Sequence, residues 1–334
     1  CLPCLSTECV KKRPCMYDIR PRTVFDALVK LLGEEPDETA QAIAIHDNYN
    51  YIAVFLTLAC NLKCSYCINR FGTDGFVKKR LSGAEWVNAL NRIGSRDDLP
   101  LSIQGGEPSL HKDFIYILNN IKPELNIDIL TNLQFDIDGF MAQVRPDRIK
   151  RKSPYASIRV SYHPEVMELE PLIQKVLKMQ NAGYSIGIWG VMHPSQADEV
   201  LRAEEYCRSL GIDFRQKEFL GEYNGRLYGT FRYPGACDLK FEKTVMCKTT
   251  ELIAGSDGSV YRCHSDLYEG RPPVGNITDP DFQIEDTFRV CGHYGRCNPC
   301  DIKVKTNRFQ EYGHTSVEIQ DSGDIGHFIS SPHI

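Results

Sequence analysis

From Tyr51 to residue 216 two kinds of segment alternate along the chain. Short apolar runs at 51–58, 99–104, 126–131, 156–161, 184–192 and 212–216 alternate with amphipathic stretches at 82–94, 110–121, 136–144, 166–182 and 195–209. Runs of that length read as buried strands, and stretches with apolar residues at helical spacing read as helices packed over them. Strand and helix in strict alternation demand a parallel sheet, because parallel neighbours need a crossover between them. The expected fold class is therefore α/β, with a parallel sheet of about six strands, open or partly closed into a barrel. In such folds ligand chemistry gathers at the carboxyl ends of the strands.

The first strand runs directly into Cys60-Asn-Leu-Lys-Cys64-Ser-Tyr-Cys67. Cysteines at i, i+4 and i+7 are compatible with one face of a buried helix. Polar Asn61, Lys63 and Ser65 between them, and their place straight after a strand, favour a loop wrapped around a metal cluster. Three thiolates suit an iron–sulfur cluster with one iron left open. At the end of the second strand stands Gln104-Gly105-Gly106-Glu107-Pro108, a turn by composition, whose glycines permit close backbone approach and whose carboxylate can accept from an ammonium group.

Over residues 50–220 these elements resemble the radical S-adenosylmethionine (radical SAM) superfamily, with its CxxxCxxC motif after strand one and its GGEP element after strand two, and the resemblance implies a partial (βα)6 TIM-like barrel. The resemblance implies that Cys60, Cys64 and Cys67 hold a [4Fe–4S] cluster and that S-adenosylmethionine (SAM) binds its fourth iron. It places Tyr66 beside the adenine, and Gly105, Gly106 and Glu107 at the SAM amino group. Asn132 and Ser161, at the ends of strands three and four, become further SAM contacts. Leu133 stands where the family commonly has glycine, and Tyr162-His163 departs from the usual pattern; His163 reads either as a substrate contact or as a packed histidine. The resemblance also implies a 5′-deoxyadenosyl radical that abstracts hydrogen from a substrate, and an electron donor such as flavodoxin or ferredoxin.

After residue 220 the alternation stops, and Gly, Pro, Tyr and Cys become frequent. Residues 253–263 read as a β-hairpin turning at Asp257-Gly258, which brings Cys247 and Cys263 back together. With Cys297-Asn-Pro-Cys300 this resembles the SPASM/twitch domains appended to radical SAM enzymes. That implies an auxiliary [4Fe–4S] cluster on Cys247, Cys263, Cys297 and Cys300, with zinc as the alternative for four clustered thiolates. Cys237 and Cys291 are then spare. At the other end Cys1, Cys4, Cys9 and Cys15 fall within fifteen residues, too few for a core, so a metal or a neighbouring domain is expected to hold them: a third [4Fe–4S] cluster or zinc, with unligated thiols as the remaining alternative. Residues 1–32 also resemble a C-terminal segment of heptosyltransferase-type bacterial glycosyltransferases. A chain that begins at Cys1, without an initiator Met, is expected of a fragment or a processed form.

The organisation expected is a cysteine-rich segment at 1–33, a linker at 34–48, the barrel at 49–220, an auxiliary-cluster domain at 221–307 and a tail at 308–334. Fourteen cysteines in 334 residues, most of them in close groups, fit metal binding in a reducing compartment better than a disulfide scaffold, so a cytoplasmic location is expected. The longest apolar run, about residues 51–60, is too short for the roughly 20 residues of a membrane span. A net charge of −5 disfavours nucleic acid as partner. The expected substrate is a small polar, carbohydrate-like molecule, oxidised with help from the auxiliary cluster. The alternatives are a peptide substrate for a maturase, and a metal-binding scaffold without catalysis.

Overall fold

Alternate residues of each apolar run face opposite ways, and this sorts the chain into two cores. The computed structural model describes residues 40–69, 80–96, 99–305 and 314–321. Cys1, Cys4, Cys9, Cys15 and the glycosyltransferase-like stretch lie outside them. The six expected strands form as β1 (Tyr51–Thr57), β2 (Leu101–Gly105), β3 (Ile127–Thr131), β4 (Ile158–Tyr162), β5 (Ile186–Met192) and β6 (Phe214–Glu218). Each pairs in parallel with the next, with Ile52 opposite Leu101, Leu101 opposite Ile127, Ile129 opposite Ile158, Ile158 opposite Ile186 and Ile188 opposite Phe214. Every residue of β1 is buried, as a strand covered on both faces requires.

The crossovers are α1 (Gly83–Asn91), α2 (Phe114–Asn120), α3 (Ile137–Gln143), α4 (Leu169–Asn181) and α5 (Ala197–Ser209). Ser82 and Glu85 close a capping box at the start of α1, each satisfying a backbone N–H that the helix leaves open. On α4, Leu172, Ile173, Val176 and Met179 form one buried stripe. These stripes and the outward strand residues, such as Ile52, Val54, Ile103, Ile129, Val160 and Ile188, make the main core, and Cys207 of α5 is part of it. The opposite face of the sheet carries Ser102, Gln104, Asp128, Arg159 and Ser161, positions that a solid apolar core would not hold.

The C-terminal region builds on this sheet. Strand β7 (Lys243–Thr249) is followed, after Thr250 alone, by β8 (Glu251–Ala254), which pairs in parallel with β1, Glu251 opposite Tyr51. The expected hairpin forms between β8 and β9 (Ser259–Tyr261), with Gly258 at φ +80°, and β10 (Gly275–Asn276) follows antiparallel. The sheet order is thus β10-β9-β8-β1-β2-β3-β4-β5-β6, a linear order that does not close into a ring. Tyr51, Ala53, Phe55 and Leu58 pack there against Ile253, Tyr261 and Leu267 as a second core.

Strand β7 also centres a three-stranded antiparallel sheet, between β11 (Arg289–Tyr294) and β12 (Val317–Asp321). The expected tail therefore differs at 317–321, where five residues supply the third strand and Val317 is buried. The expected linker differs as well. Ile43 pairs with Ile93 in a short parallel bridge and is fully buried, so residues 43–44 dock onto the folded body. Among the described residues no helix is long and apolar enough to cross a membrane.

Candidate active site

Strand β1 ends at Thr57, whose hydroxyl accepts the Ala59 N–H at 3.1 Å and turns the chain into the cysteine loop. Cys60 Sγ accepts the Leu62 N–H at 3.4 Å, and the Cys67 N–H donates to the Cys64 carbonyl at 3.1 Å. All three cysteines are part-buried and line one cavity of about 390 Å³ at the carboxyl ends of the strands. Burial, then the neighbouring Cys67, Glu165 and Cys60, push the Cys64 thiol up to about 12; burial also raises Cys60. Three part-buried thiols on one cavity are costly to ionise alone and favourable as thiolates around a cationic centre. The donor set therefore fits a cluster bound on three thiolates.

Gly105 and Gly106 lie against that loop. A Cβ on Gly105 would stand 2.1 Å from the Thr57 carbonyl oxygen, and one on Gly106 would stand 2.2 Å from that of Ala59. The Gly106 and Glu107 N–H groups donate to those same two carbonyls, at 3.0 and 2.8 Å. The close approach that requires glycine is made to the cysteine loop, while both glycines still line the cavity.

Glu107 is placed differently from the sequence expectation. It is 1% exposed and does not line the cavity. Its carboxylate accepts from Ser109 N–H and Oγ, from Thr131 Oγ1 at 2.8 Å and from the Asn132 N–H at 2.7 Å. Three of these donors meet Oε1 and the fourth meets Oε2, and the side chain ties the end of β2 to the end of β3. Asn132 lines the cavity and donates to Asn61 of the cysteine loop at 2.7 Å. Leu133 takes φ +58°, the left-handed conformation that favours glycine.

Tyr66 lines the cavity with its hydroxyl 3.0 Å from His163 Nδ1 and its ring stacked on His193 at 4.9 Å. Burial, reinforced by Lys217, pushes His163 down to about 4, so its imidazole is neutral at pH 7. Ser161 lines the cavity on β4, as expected. Glu165, just beyond it, escaped the sequence reading. Its carboxylate accepts from Ser65 N–H and Oγ at 2.6 and 2.7 Å and clasps the middle of the cysteine loop. Only the fold brings residues 65 and 165 together.

The far wall of the cavity comes from the C-terminal region, through α6 (His264–Tyr268) and α7 (Pro299–Ile302). His264, Tyr268, Cys300, Lys303 and Lys305 line it. His264 Nδ1 lies 3.0 Å from Asp301, and Lys305 pairs with buried Glu251. Behind the wall, Cys247 on β7, Cys263 at the N-cap of α6, and Cys297 share an apolar cluster with Cys237 and Cys291. Val245 stands opposite Cys291 in the β7–β11 ladder, and Cys237 Sγ donates to the Cys297 carbonyl at 3.1 Å. Burial pushes Cys237 and Cys247 up to about 12. Of the four cysteines expected to share an auxiliary site, three are brought together, and Cys300 is on the cavity wall. Cys297 precedes the N-cap Asn298, and Cys300 sits in the first turn of α7.

No group of three or more His, Cys, Asp or Glu among the described residues is gathered tightly enough for a single metal ion. A second groove, about 610 Å³, lies outside the barrel between α2 and α3, lined by Lys112, Tyr116 and Asp136, with no cysteine.

Residues 54–214 match the radical SAM superfamily. A probable GTP 3′,8-cyclase of Methanopyrus kandleri is 31% identical over 100 residues, covering 29% of this chain and 32% of that protein. The sporulation killing factor maturation protein SkfB of Bacillus subtilis is 23% identical over 209 residues, 59% of this chain and 48% of its own length. The match thus spans about a third of the cyclase and about half of the maturation protein. Among solved structures, native anSMEcpe with bound AdoMet aligns at a TM-score of 0.46 and 14% identity, covering 71% of this chain and 78% of that one.

Proposed function

We propose, from the premise that the chain carries a radical SAM domain at residues 54–214, that it is an enzyme which cleaves SAM reductively and abstracts hydrogen from a substrate held in the 390 Å³ cavity. The family implies a [4Fe–4S] cluster and SAM, which when bound supply a 5′-deoxyadenosyl radical. The observation that carries the reading is the convergence of Cys60, Cys64 and Cys67 on the rim of one cavity at the carboxyl ends of parallel strands. In this reading the three thiolates hold the cluster, and Gly105, Gly106 and Glu165 fix the loop that bears them. Ser161, Asn132 and the Tyr66 ring orient SAM. The wall of Tyr268, His264 and Cys300 closes the chamber against water.

For the auxiliary site, the reading draws ligands from Cys237, Cys247, Cys263, Cys291 and Cys297, with Cys300 left to the chamber. An auxiliary [4Fe–4S] cluster there would lie just behind the wall that faces the substrate. The known relatives give the carbohydrate-like substrate no support. Peptide maturation is the second reading, favoured by the likeness to SkfB.

Anaerobically reconstituted protein given dithionite and SAM is expected to release 5′-deoxyadenosine and methionine. Release that persists in Cys64→Ala would sink the assignment. Iron counting tests the auxiliary set separately: Cys247→Ala lowers bound iron, and Cys300→Ala leaves it unchanged.

A further inference from the structure

Arg159 lies two residues before Ser161 on the same face of β4, one layer deeper in the cavity. Beside it on β3 is Asp128, fully buried. Arg151 takes both oxygens of that carboxylate, through Nε and Nη2 at 2.9 Å each. Arg159 reaches the same carboxylate only through Nη2 at 3.3 Å, and Ser102 Oγ at 3.5 Å. Its Nε has no partner among the described residues. Two guanidinium groups thus share one carboxylate, and the poorly satisfied one is 7% exposed and faces the cavity. The ring of Tyr155 supports both cations, at 5.2 and 5.5 Å, but carries no charge. Elsewhere on the lining Lys217, Lys303 and Lys305 outnumber Glu218. Lys305 is paired with Glu251 and Lys303 with Glu218 at 3.5 Å, so neither carboxylate serves Arg159.

A buried cation without its full counter-charge is costly until an anion arrives, and the flat guanidinium fork matches carboxylate and phosphate oxygens. We propose that Arg159 is an anion-binding residue at the depth of the cavity, taking a carboxylate or phosphate group of a small molecule bound there. Identification of that molecule as a reactant rests on the function proposed above. The same chemistry has two carriers, the substrate and the carboxylate of SAM itself.

The test uses the full reconstituted chain, with inorganic phosphate as probe. Thermal unfolding is followed in phosphate and in chloride at matched ionic strength for the unaltered protein, Arg159→Gln and Arg159→Lys, and SAM affinity is measured by equilibrium dialysis. General salt effects are common to all three proteins. The expected result is an extra phosphate-dependent rise in Tm that disappears in Arg159→Gln and persists in part in Arg159→Lys. Arg159→Gln keeps the Arg151–Asp128 pair, so the fold retains that tie. SAM affinity within twofold of the unaltered protein assigns the anion to the substrate; a tenfold loss assigns it to SAM. An identical phosphate response in all three proteins with unchanged SAM affinity would overturn the proposal. Absence of 5′-deoxyadenosine release with the phosphate response intact would instead remove the proposed function and leave the anion site standing.

Discussion

Gly106 shows how tightly one residue constrains the cysteine loop. A Cβ added to it would stand 2.2 Å from the Ala59 carbonyl oxygen, backbone that has no rotamer to change. Gly106→Ala is expected to cost about 1–3 kcal/mol through overpacking and to lower the iron bound on reconstitution, measured by denaturant unfolding and iron content. Glu107→Gln puts an amide N–H₂ among four donors and is expected to destabilise by about 1–3 kcal/mol. His163 sets a pH dependence. Its folded-state pKa is lowered from 6.5 to about 4, so the unfolded chain binds the extra proton between those values. Stability is fully present above pH 6.5 and falls as pH drops towards 4, by up to about 3 kcal/mol from this residue. His163→Asn is expected to flatten that part of the pH profile in denaturant titrations. The CxxxCxxC spacing and the Gly-Gly-Glu-Pro turn were legible in the sequence because each is contiguous. The role of Glu107 was not, because its donors on Thr131 and Asn132 come from the next strand.

At the scale of elements, hydrophobic periodicity located the six strands and five crossover helices to within a few residues, because each element buries a long stripe. What it could not supply was lateral pairing. Glu165 meets Ser65, Asp128 meets Arg151 and Arg159, and Cys291 joins the cluster of Cys247 only through strand register. The third strand of the C-terminal sheet, Val317–Asp321, buries little more than Val317, too weak a pattern to separate from a tail. The loop after β4 provides a test at this scale. Glu165→Ala removes the two hydrogen bonds on Ser65 and is expected to loosen the cysteine loop without unfolding the sheet. Faster proteolysis near residues 60–69, with an unchanged global Tm, would show it.

For the molecule as a whole, β7 and β8 join the cysteine-rich region to the sheet. β8 completes the first edge of the parallel sheet, and the chamber has one wall from the strand ends and one from residues 264–305. A chain cut after residue 220 would expose β1 as an open edge and lose the core of Tyr51, Phe55, Ile253, Tyr261 and Leu267. It is expected to aggregate or remain unfolded by circular dichroism and size-exclusion chromatography. A well-folded, monomeric product would show that the barrel stands alone. The central claim is that Cys60, Cys64 and Cys67 present an open iron site to SAM inside this chamber. Low-temperature electron paramagnetic resonance of the dithionite-reduced protein tests it most directly. The account predicts a reduced-cluster signal that changes shape when SAM is added and is altered or lost in Cys64→Ala. A signal indifferent both to SAM and to that substitution would contradict it.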